Sequence, residues 1–407
     1  MTKSFLTLWL GQTISILGSG MTWFAFTIWA WQKTGQPTAL SMVAFFAFLP
    51  TVVFTPLAGV FVDRWDRKFV MLLSDAATAT GTLIILLLYT TSTLEIWHVY
   101  IISATAGFFT AFQYPAYLAA VTTMLPKDQY GRAQGLLGLS PALSGILAPV
   151  VAASLLGRIG MQGIMTVDLV TFLFAFATLA WVRIPAPAVS RVGLFSRSSV
   201  WKELSFGFDY IRQRVGLRDL TVLFMLSNFF LAIGATLVAP MVLSQTGNSE
   251  GILASVQSVG AVGGVTGGIV LSFWGGPKQR INGILLGGAG ACIMGIFWLG
   301  LGTTFLVWAI GSFFFAFFEP IVEGGNLAIW QTKVEADIQG RVFSARQLLV
   351  QVPYLLGIFV AGPLAEYRFG IPAVLALAGV FGGCVFLAGY AIRSIRHVEN
   401  LLPDQGD

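Results

Sequence analysis

The chain has 407 residues, 56% of them apolar and 10% charged, far below the roughly 25% charge of a soluble domain. Its Gly 46 and Phe 34 suit closely packed membrane helices, in which small residues let backbones approach. With two histidines, at predicted span ends, and no GxxxxGK[ST] loop, little is left for a metal site, a Ser-His-Asp site or that ATP-binding loop.

Runs of about 18 or more mainly apolar residues are each long enough to cross a bilayer core. They predict twelve spans, at 5–31, 42–62, 69–91, 98–125, 135–157, 163–183, 219–243, 251–274, 281–301, 305–330, 347–365 and 371–392. The first is too long, and lacks the small-residue cleavage site, for a removable signal peptide. With both termini cytosolic, twenty basic residues fall on the inner side and only Lys33, Arg158 and Arg368 on the outer, as the positive-inside rule requires. The net charge of +5 thus reflects topology, and a nucleic-acid surface is the weaker reading. Cys292 and Cys384 fall inside predicted spans, against a structural disulfide.

After the second span comes GVFVDRWDRK, Gly59 to Lys68. Gly59 lets a neighbouring helix approach. Asp63, at a helix end, can accept from a facing helix N-terminus and pair with a base. With Arg64, Arg67 and Lys68 it forms a candidate inner gate, against the plainer reading of a basic loop. The loop resembles the signature of the major facilitator superfamily, except that Asp66 stands where glycine is usual. In the second half, FWGGPKQRI at 273–281 keeps basic residues without an aspartate, so the latch is asymmetric. Asp128 with Arg132, and Asp337 with Arg341, are further gate pairs or solvated charge.

Two halves echo each other. FFTAFQYP at 108–115 matches FFFAFFEP at 313–320, DQYGR at 128–132 parallels DIQGR at 337–341, and Pro141 with Gly145 corresponds to Pro353 with Gly357. Three matches in one order argue for duplication, as in transporters built from parallel repeats. In span five, Gly135, Ser144, Ala148, Pro149, Ala152 and Ala153 hold the small-residue positions of the superfamily's drug antiporters, a helix-packing motif. Many of those antiporters have an arginine in span four, and this chain has none. The DRWDRK and WGGPK loops together resemble the macrolide-efflux and enterobactin-exporter branch.

Four acids fall well inside predicted spans, each costly in hydrocarbon. Asp75 reads as structural, paired with the signature arginines; Asp168 reads as an outer gate or a helix-start cap. Glu319 and Glu323 share a helix face by their spacing of four. They can hold and exchange a proton, or Glu319 can be packing glue hydrogen-bonded to Gln113 or Asn228, and Glu323 can snorkel. Pro320, Gly324 and Gly325 loosen this helix and Pro115 its counterpart, while Phe112 and Tyr114 face the Phe run across a cavity.

Between the halves, 201–215 places Trp201, Leu204, Phe208, Ile211 and Val215 on one face, suited to an interfacial helix. The expectation is an all-α membrane protein of twelve transmembrane helices in two pseudo-symmetric six-helix bundles. Residues 1–183 form one bundle, 184–218 a cytosolic linker, 219–392 the second bundle and 393–407 a tail. The resemblance implies a bacterial inner-membrane exporter of lipophilic or amphiphilic compounds, macrolide or multidrug type, working by proton antiport as a monomer. A siderophore exporter is the alternative, with a membrane-embedded enzyme or a channel more remote. No cofactor, metal or nucleic-acid partner is expected beside substrate, protons and lipid.

Overall fold

A computed structural model describes residues 2–62, 65–184 and 197–400, except the side chains of 59, 60 and 197–201. Asp63 and Arg64 therefore lie outside the described residues. The rest is helical, with no strand among the described residues. The first half contains α1 (Lys3–Thr34), α2 (Pro37–Val62), α3 (Arg67–Thr90), α4 (Ile96–Met124) and α5 (Tyr130–Trp181). α6 (Arg197–Gln213) precedes α7 (Val215–Gln245), α8 (Glu250–Trp274) and α9 (Arg280–Gly290). A π-helical stretch, Ala291–Phe297, joins α9 to α10 (Trp298–Leu301); α11 (Phe305–Phe317) and α12 (Glu319–Lys333) follow. α13 (Gln339–Leu364), α14 (Ile371–Ala388) and the short α15 (Arg393–Arg396) complete the chain.

Among the described residues, ten stretches are long and apolar enough to cross a membrane. One of them, Lys127–Trp181, has 55 residues, or about 80 Å of helix, more than twice a bilayer core. It breaks at Gly160, whose φ of 65° and ψ of −176° only glycine adopts at little cost. α4 adds another 29-residue helix. Local chemistry marks the starts: Thr2 accepts from the Phe5 amide at 3.3 Å and Ser249 from that of Ile252 at 3.4 Å. Asp66 accepts from the Phe69 amide at 2.9 Å. The aspartate that departs from the signature is thus the N-cap of α3.

The described residues up to 184, apart from 36–41, form one compact unit; 36–41 and 197–400 form the other. In the first, α1 packs on α5, and α3 on α4 and α5. Its core gathers Phe5, Leu8, Met71, Phe112 and Leu179. In the second, α7 packs on α13 and α14, α8 on α11, and α9 on α12, around the fully buried Trp308 and Trp330. Lipid tails are as apolar as leucine, so close backbone approach takes over from hydrophobic burial in holding such helices. A Cβ on Gly263 would lie 2.3 Å from the Phe313 carbonyl oxygen, and one on Gly267 only 2.0 Å from that of Phe317.

The duplication has a structural counterpart. Gly107, just before the first FF motif, abuts the Ala47 carbonyl; Ser312, just before the second, abuts Gly260. The two copies then diverge. α4 runs unbroken through Pro115, whereas the second-half helix splits at Phe318, and Pro320 sits in the first turn of α12. Proline lacks the N–H that the preceding turn would have received.

The linker helix differs from the expectation. Leu204 and Ile211 are buried, and α6 packs on α13, so part of its apolar face is covered by protein. Tyr210 donates to the Lys333 carbonyl at 3.4 Å, and the Arg341 guanidinium lies 4.6 Å from the Phe206 ring centroid. Val215 already belongs to α7 and is exposed, because the helix is interrupted at Arg214. Trp201's side chain lies outside the description.

A paired substitution tests the α8–α11 contact. Gly267→Ala should destabilise by about 1–3 kcal/mol through overpacking, while Gly268→Ala, whose Cβ would meet nothing within 4 Å, should be silent. Thermal unfolding of the purified protein in detergent measures both; equal melting temperatures would refute the contact.

Candidate functional site

Each unit contains a cavity lined by carboxylates. In the first, polar residues recur at helical spacing in otherwise apolar helices: Gln12 and Ser19 on α1, and Asp75, Thr78 and Thr82 on α3. Positions three, four and seven apart share a face, so both stripes point to one place. α4 adds Gln113, Tyr114 and Tyr117, and α5 adds Asp168, around a cavity of about 320 Å³.

Asp75 receives Gln12 Nε2 at 3.1 Å and Gln113 Nε2 on its other oxygen. Its observed partners are thus amides, where the sequence suggested the signature arginines. Within its own unit, Gln113 is correspondingly engaged by Asp75. Asp168 receives Ser19 Oγ at 3.1 Å and Thr82 Oγ1 at 3.4 Å. It is 4% exposed and ties α5 to α1 and α3, so the helix-start cap is ruled out by geometry: its carboxylate bonds to other helices. Gly18 allows this proximity, since a Cβ there would come within 3.0 Å of Asp168 Oδ1. Tyr114 is 59% exposed and lines the cavity, whereas Phe112 is buried in the core and does not line this cavity.

In the second unit, α7 supplies Asn228, α12 supplies Glu319 and Glu323, and α13 supplies Tyr354 to a cavity of about 400 Å³. Phe315 lines it, whereas Phe318 leans over Gly290; the aromatic run is partly wall and partly packing. Asn228 Nδ2 donates to the Val350 carbonyl at 3.3 Å, tying α7 to α13 instead of holding Glu319. The predicted shared face of Glu319 and Glu323 is present, but the two acids differ. Glu323 Oε1 lies 3.4 Å from Arg346 Nη2, and its other oxygen receives Asn326 Nδ2 at 3.3 Å. Glu323 is therefore ion-paired, where the sequence suggested snorkelling or a shared proton.

Arg346 is the residue that sequence reasoning missed. Counted among the cytosolic cations, it is instead buried, its side chain 8% exposed against 58% for Glu323. It starts two turns inside α13, with its guanidinium 5.3 Å from the Trp330 ring centroid and 6.0 Å from that of Phe224. Such stacking suits the weakly hydrated guanidinium. Its partner is 23 residues away, and no local spacing rule reaches that far.

The described gate cations serve their own unit. Arg67 donates to the Ala119 carbonyl at 2.8 Å. Lys68 donates to the carbonyls of Ala180 and Val182 at 2.7 and 2.8 Å, closing the open end of α5. Asp128, Arg132 and Asp337 are exposed and, with Arg341, enter no ion pair among the described residues. In span five, Ser144 donates to the Ile16 carbonyl at 3.1 Å, and a Cβ on Gly20 would meet both Ser144 and Ala148. Ala148 and Pro149 are buried. Gly135 is different: a Cβ there would meet nothing within 4 Å, so it faces open space and packs no helix in this conformation.

The Glu323–Arg346 pair yields a stability prediction. Glu323→Gln leaves a buried cation short of its carboxylate and should cost about 1–3 kcal/mol, below the fully buried case because Glu323 is more than half exposed. Arg346→Gln added to it should restore part of the loss. A double-mutant cycle of unfolding in detergent reads the coupling, and strictly additive effects would show that the pair is not coupled.

A family model described as Major Facilitator Superfamily matches residues 8–358. Macrolide efflux protein A of Streptococcus pyogenes is 28% identical over 401 residues, with 97% of each chain covered. Multidrug efflux pump Tap of Mycolicibacterium fortuitum is 23% identical, with 86% of each chain covered. Among solved structures, the nucleoside transporter NupG superposes with a TM-score of 0.75 at 12% identity, over 96% of this chain and 99% of that one. A bacterial homologue of the iron transporter ferroportin, in an inward-facing state, gives 0.69 at 14%, over 95% and 99%. These two likenesses concern the fold alone.

Proposed function

This chain belongs to the Major Facilitator Superfamily, and on that premise we propose that it exports lipophilic or amphiphilic compounds of the macrolide or multidrug type, by alternating access coupled to proton antiport. The observation that carries the export reading is the end-to-end likeness to macrolide efflux protein A. Counting α5 twice about Gly160, and α4 with the ten apolar stretches, gives twelve spans in two halves. The protein acts as a monomer in a bacterial inner membrane with both termini cytosolic, the orientation that the basic residues favour.

Glu319 is the coupling group of this reading. It lines the second cavity beside the break at Phe318, and backbone breaks at membrane depth are tolerated where they line a cavity. Glu323, one turn away, is held by Arg346, which leaves Glu319 as the cavity acid without an ion-pair partner among the described residues. Glu319 then alternates between protonated and ionised as the cavity changes sides, while Glu323 stays paired. Asp63 and Arg64 belong to the inner gate, and Arg67 and Lys68 hold that loop's frame to their own unit.

The test is transport in proteoliposomes under an imposed pH gradient, with a labelled macrolide and a labelled siderophore offered separately. Glu319→Gln, which removes the exchangeable proton and little volume, should lower gradient-driven macrolide flux by roughly an order of magnitude or more. Exchange without a gradient should persist. Unchanged gradient-driven flux would remove Glu319 from coupling, and flux of the siderophore alone would replace the cargo class.

A further inference from the structure

We propose that Asp168, with the hydroxyls of Ser19, Thr22 and Thr82, forms a Na⁺ site that ties α1, α3 and α5 together inside the first unit. The proposal goes beyond the export reading and does not depend on it.

Three observations carry it. The first is an unfilled valence beside a carboxylate. Asp168, Ser19, Thr22 and Thr82 line one cavity, and no Lys, Arg or His among the described residues lines it with them. Thr22 is 4% exposed and faces Asp168, yet its hydroxyl makes no hydrogen bond. It lies three residues after Ser19 on α1 and so shares that residue's helix face. A buried polar atom left unpaired is costly, and an ion within reach of its lone pairs satisfies it.

The second observation is spacing. Asp168 Oδ1 lies 3.1 Å from Ser19 Oγ, and Oδ2 lies 3.4 Å from Thr82 Oγ1. A hydroxyl sharing a proton with a carboxylate sits closer, at about 2.5–2.7 Å. Na⁺ is close in size to Ca²⁺, whose ligand oxygens lie at about 2.3–2.6 Å, so neighbouring ligands at right angles stand about 3.3–3.7 Å apart. Both observed separations lie nearer the second spacing.

Third, the donors are of the right kind. A hydroxyl can turn its lone pairs toward a cation, whereas an amide nitrogen can only donate. Asp75 is committed to the amide nitrogens of Gln12 and Gln113, while the hydrogen bonds of Asp168 come from hydroxyls. One carboxylate and one monovalent ion are neutral together, which relieves the cost of an ionised acid at membrane depth. No three His, Cys, Asp or Glu residues gather as a metal site among the described residues. The softer ligands of most transition metals and the several carboxylates usual around Ca²⁺ therefore have no counterpart here.

Binding of radiolabelled Na⁺ to the full-length protein in nanodiscs, at fixed pH with choline holding the ionic strength constant, tests the site. Saturable binding of one ion per chain is expected. Unlabelled Na⁺ should compete at least about tenfold better than K⁺, whose longer metal–oxygen distances spread the ligands apart. Thr22→Val, which replaces the hydroxyl by a methyl group, should weaken Na⁺ several-fold, and Asp168→Asn should abolish its binding. Thr80→Val is the control, since that exposed hydroxyl on α3 bonds to the Ala76 carbonyl of its own helix. Saturating Na⁺ should also raise the melting temperature, because a ligand of the folded state stabilises it, and Asp168→Asn should lose that rise. Absence of saturable Na⁺ binding, equal competition by K⁺, or unchanged affinity in Thr22→Val would overturn the site. If Asp168→Asn does not fold, ion competition on the unaltered protein and Thr22→Val decide. Neither a pH gradient nor a cargo enters the measurement, so failure of the Glu319 assignment leaves this result standing, and the converse also holds.

Discussion

Charge in hydrocarbon is the constraint on which the rest depends. Water is not at hand to solvate a carboxylate there, so each acid must be satisfied by its own bundle or by something that enters it. The two units meet this demand differently. The first surrounds Asp75 and Asp168 with amide and hydroxyl donors from α1, α3 and α4. The second gives Glu323 a buried guanidinium, leaving Glu319 as the acid at the helix break. Neutral donors lower the cost of a charge without offsetting it, whereas an arginine offsets it in part with charge of the opposite sign. The same chain therefore contains one pair of carboxylates held by neutral donors and another in which one member is ion-paired.

This asymmetry overlies a shared frame. In both halves a glycine contact precedes the aromatic motif, a tight one of Gly107 on Ala47 and an ordinary van der Waals one of Ser312 on Gly260. Without hydrophobic driving force between helices, such small-residue contacts are what a membrane bundle is built from. What differs is the continuation: an intact helix through Pro115 against a split before Pro320. The π-helical stretch beside the break brings Gly295 under Phe315 and so sets one wall of the second cavity. The altered hydrogen-bond ladder and the acids are neighbours, as is common where local helix irregularity serves a site.

Much of the architecture was legible before any coordinates. Apolar run lengths, the alternation of basic residues and the repeated FF, DxxGR and proline motifs convey spans and duplication, since each reports on solvent or on local chain geometry. The acids were legible as costly residues, and the shared face of Glu319 and Glu323 followed from helical periodicity. A further signal was present and went unread: Gln12 with Ser19, and Asp75 with Thr82, are polar pairs seven apart in apolar helices, which marks a common face. The linker helix misled because amphipathicity states that an apolar face will be covered, and says nothing of whether lipid or α13 covers it.

The sequence by itself determined the solvent of each segment, the repeat and the inventory of groups too polar for that solvent. Only the tertiary structure decided who partners whom: Gln113 with Asp75, Arg346 with Glu323 and Phe112 with the core. The reason is one of range. Helical periodicity relates residues within a few turns, whereas the partner of a buried charge is chosen by whichever helix packs alongside, and that neighbour lies tens of residues away along the chain.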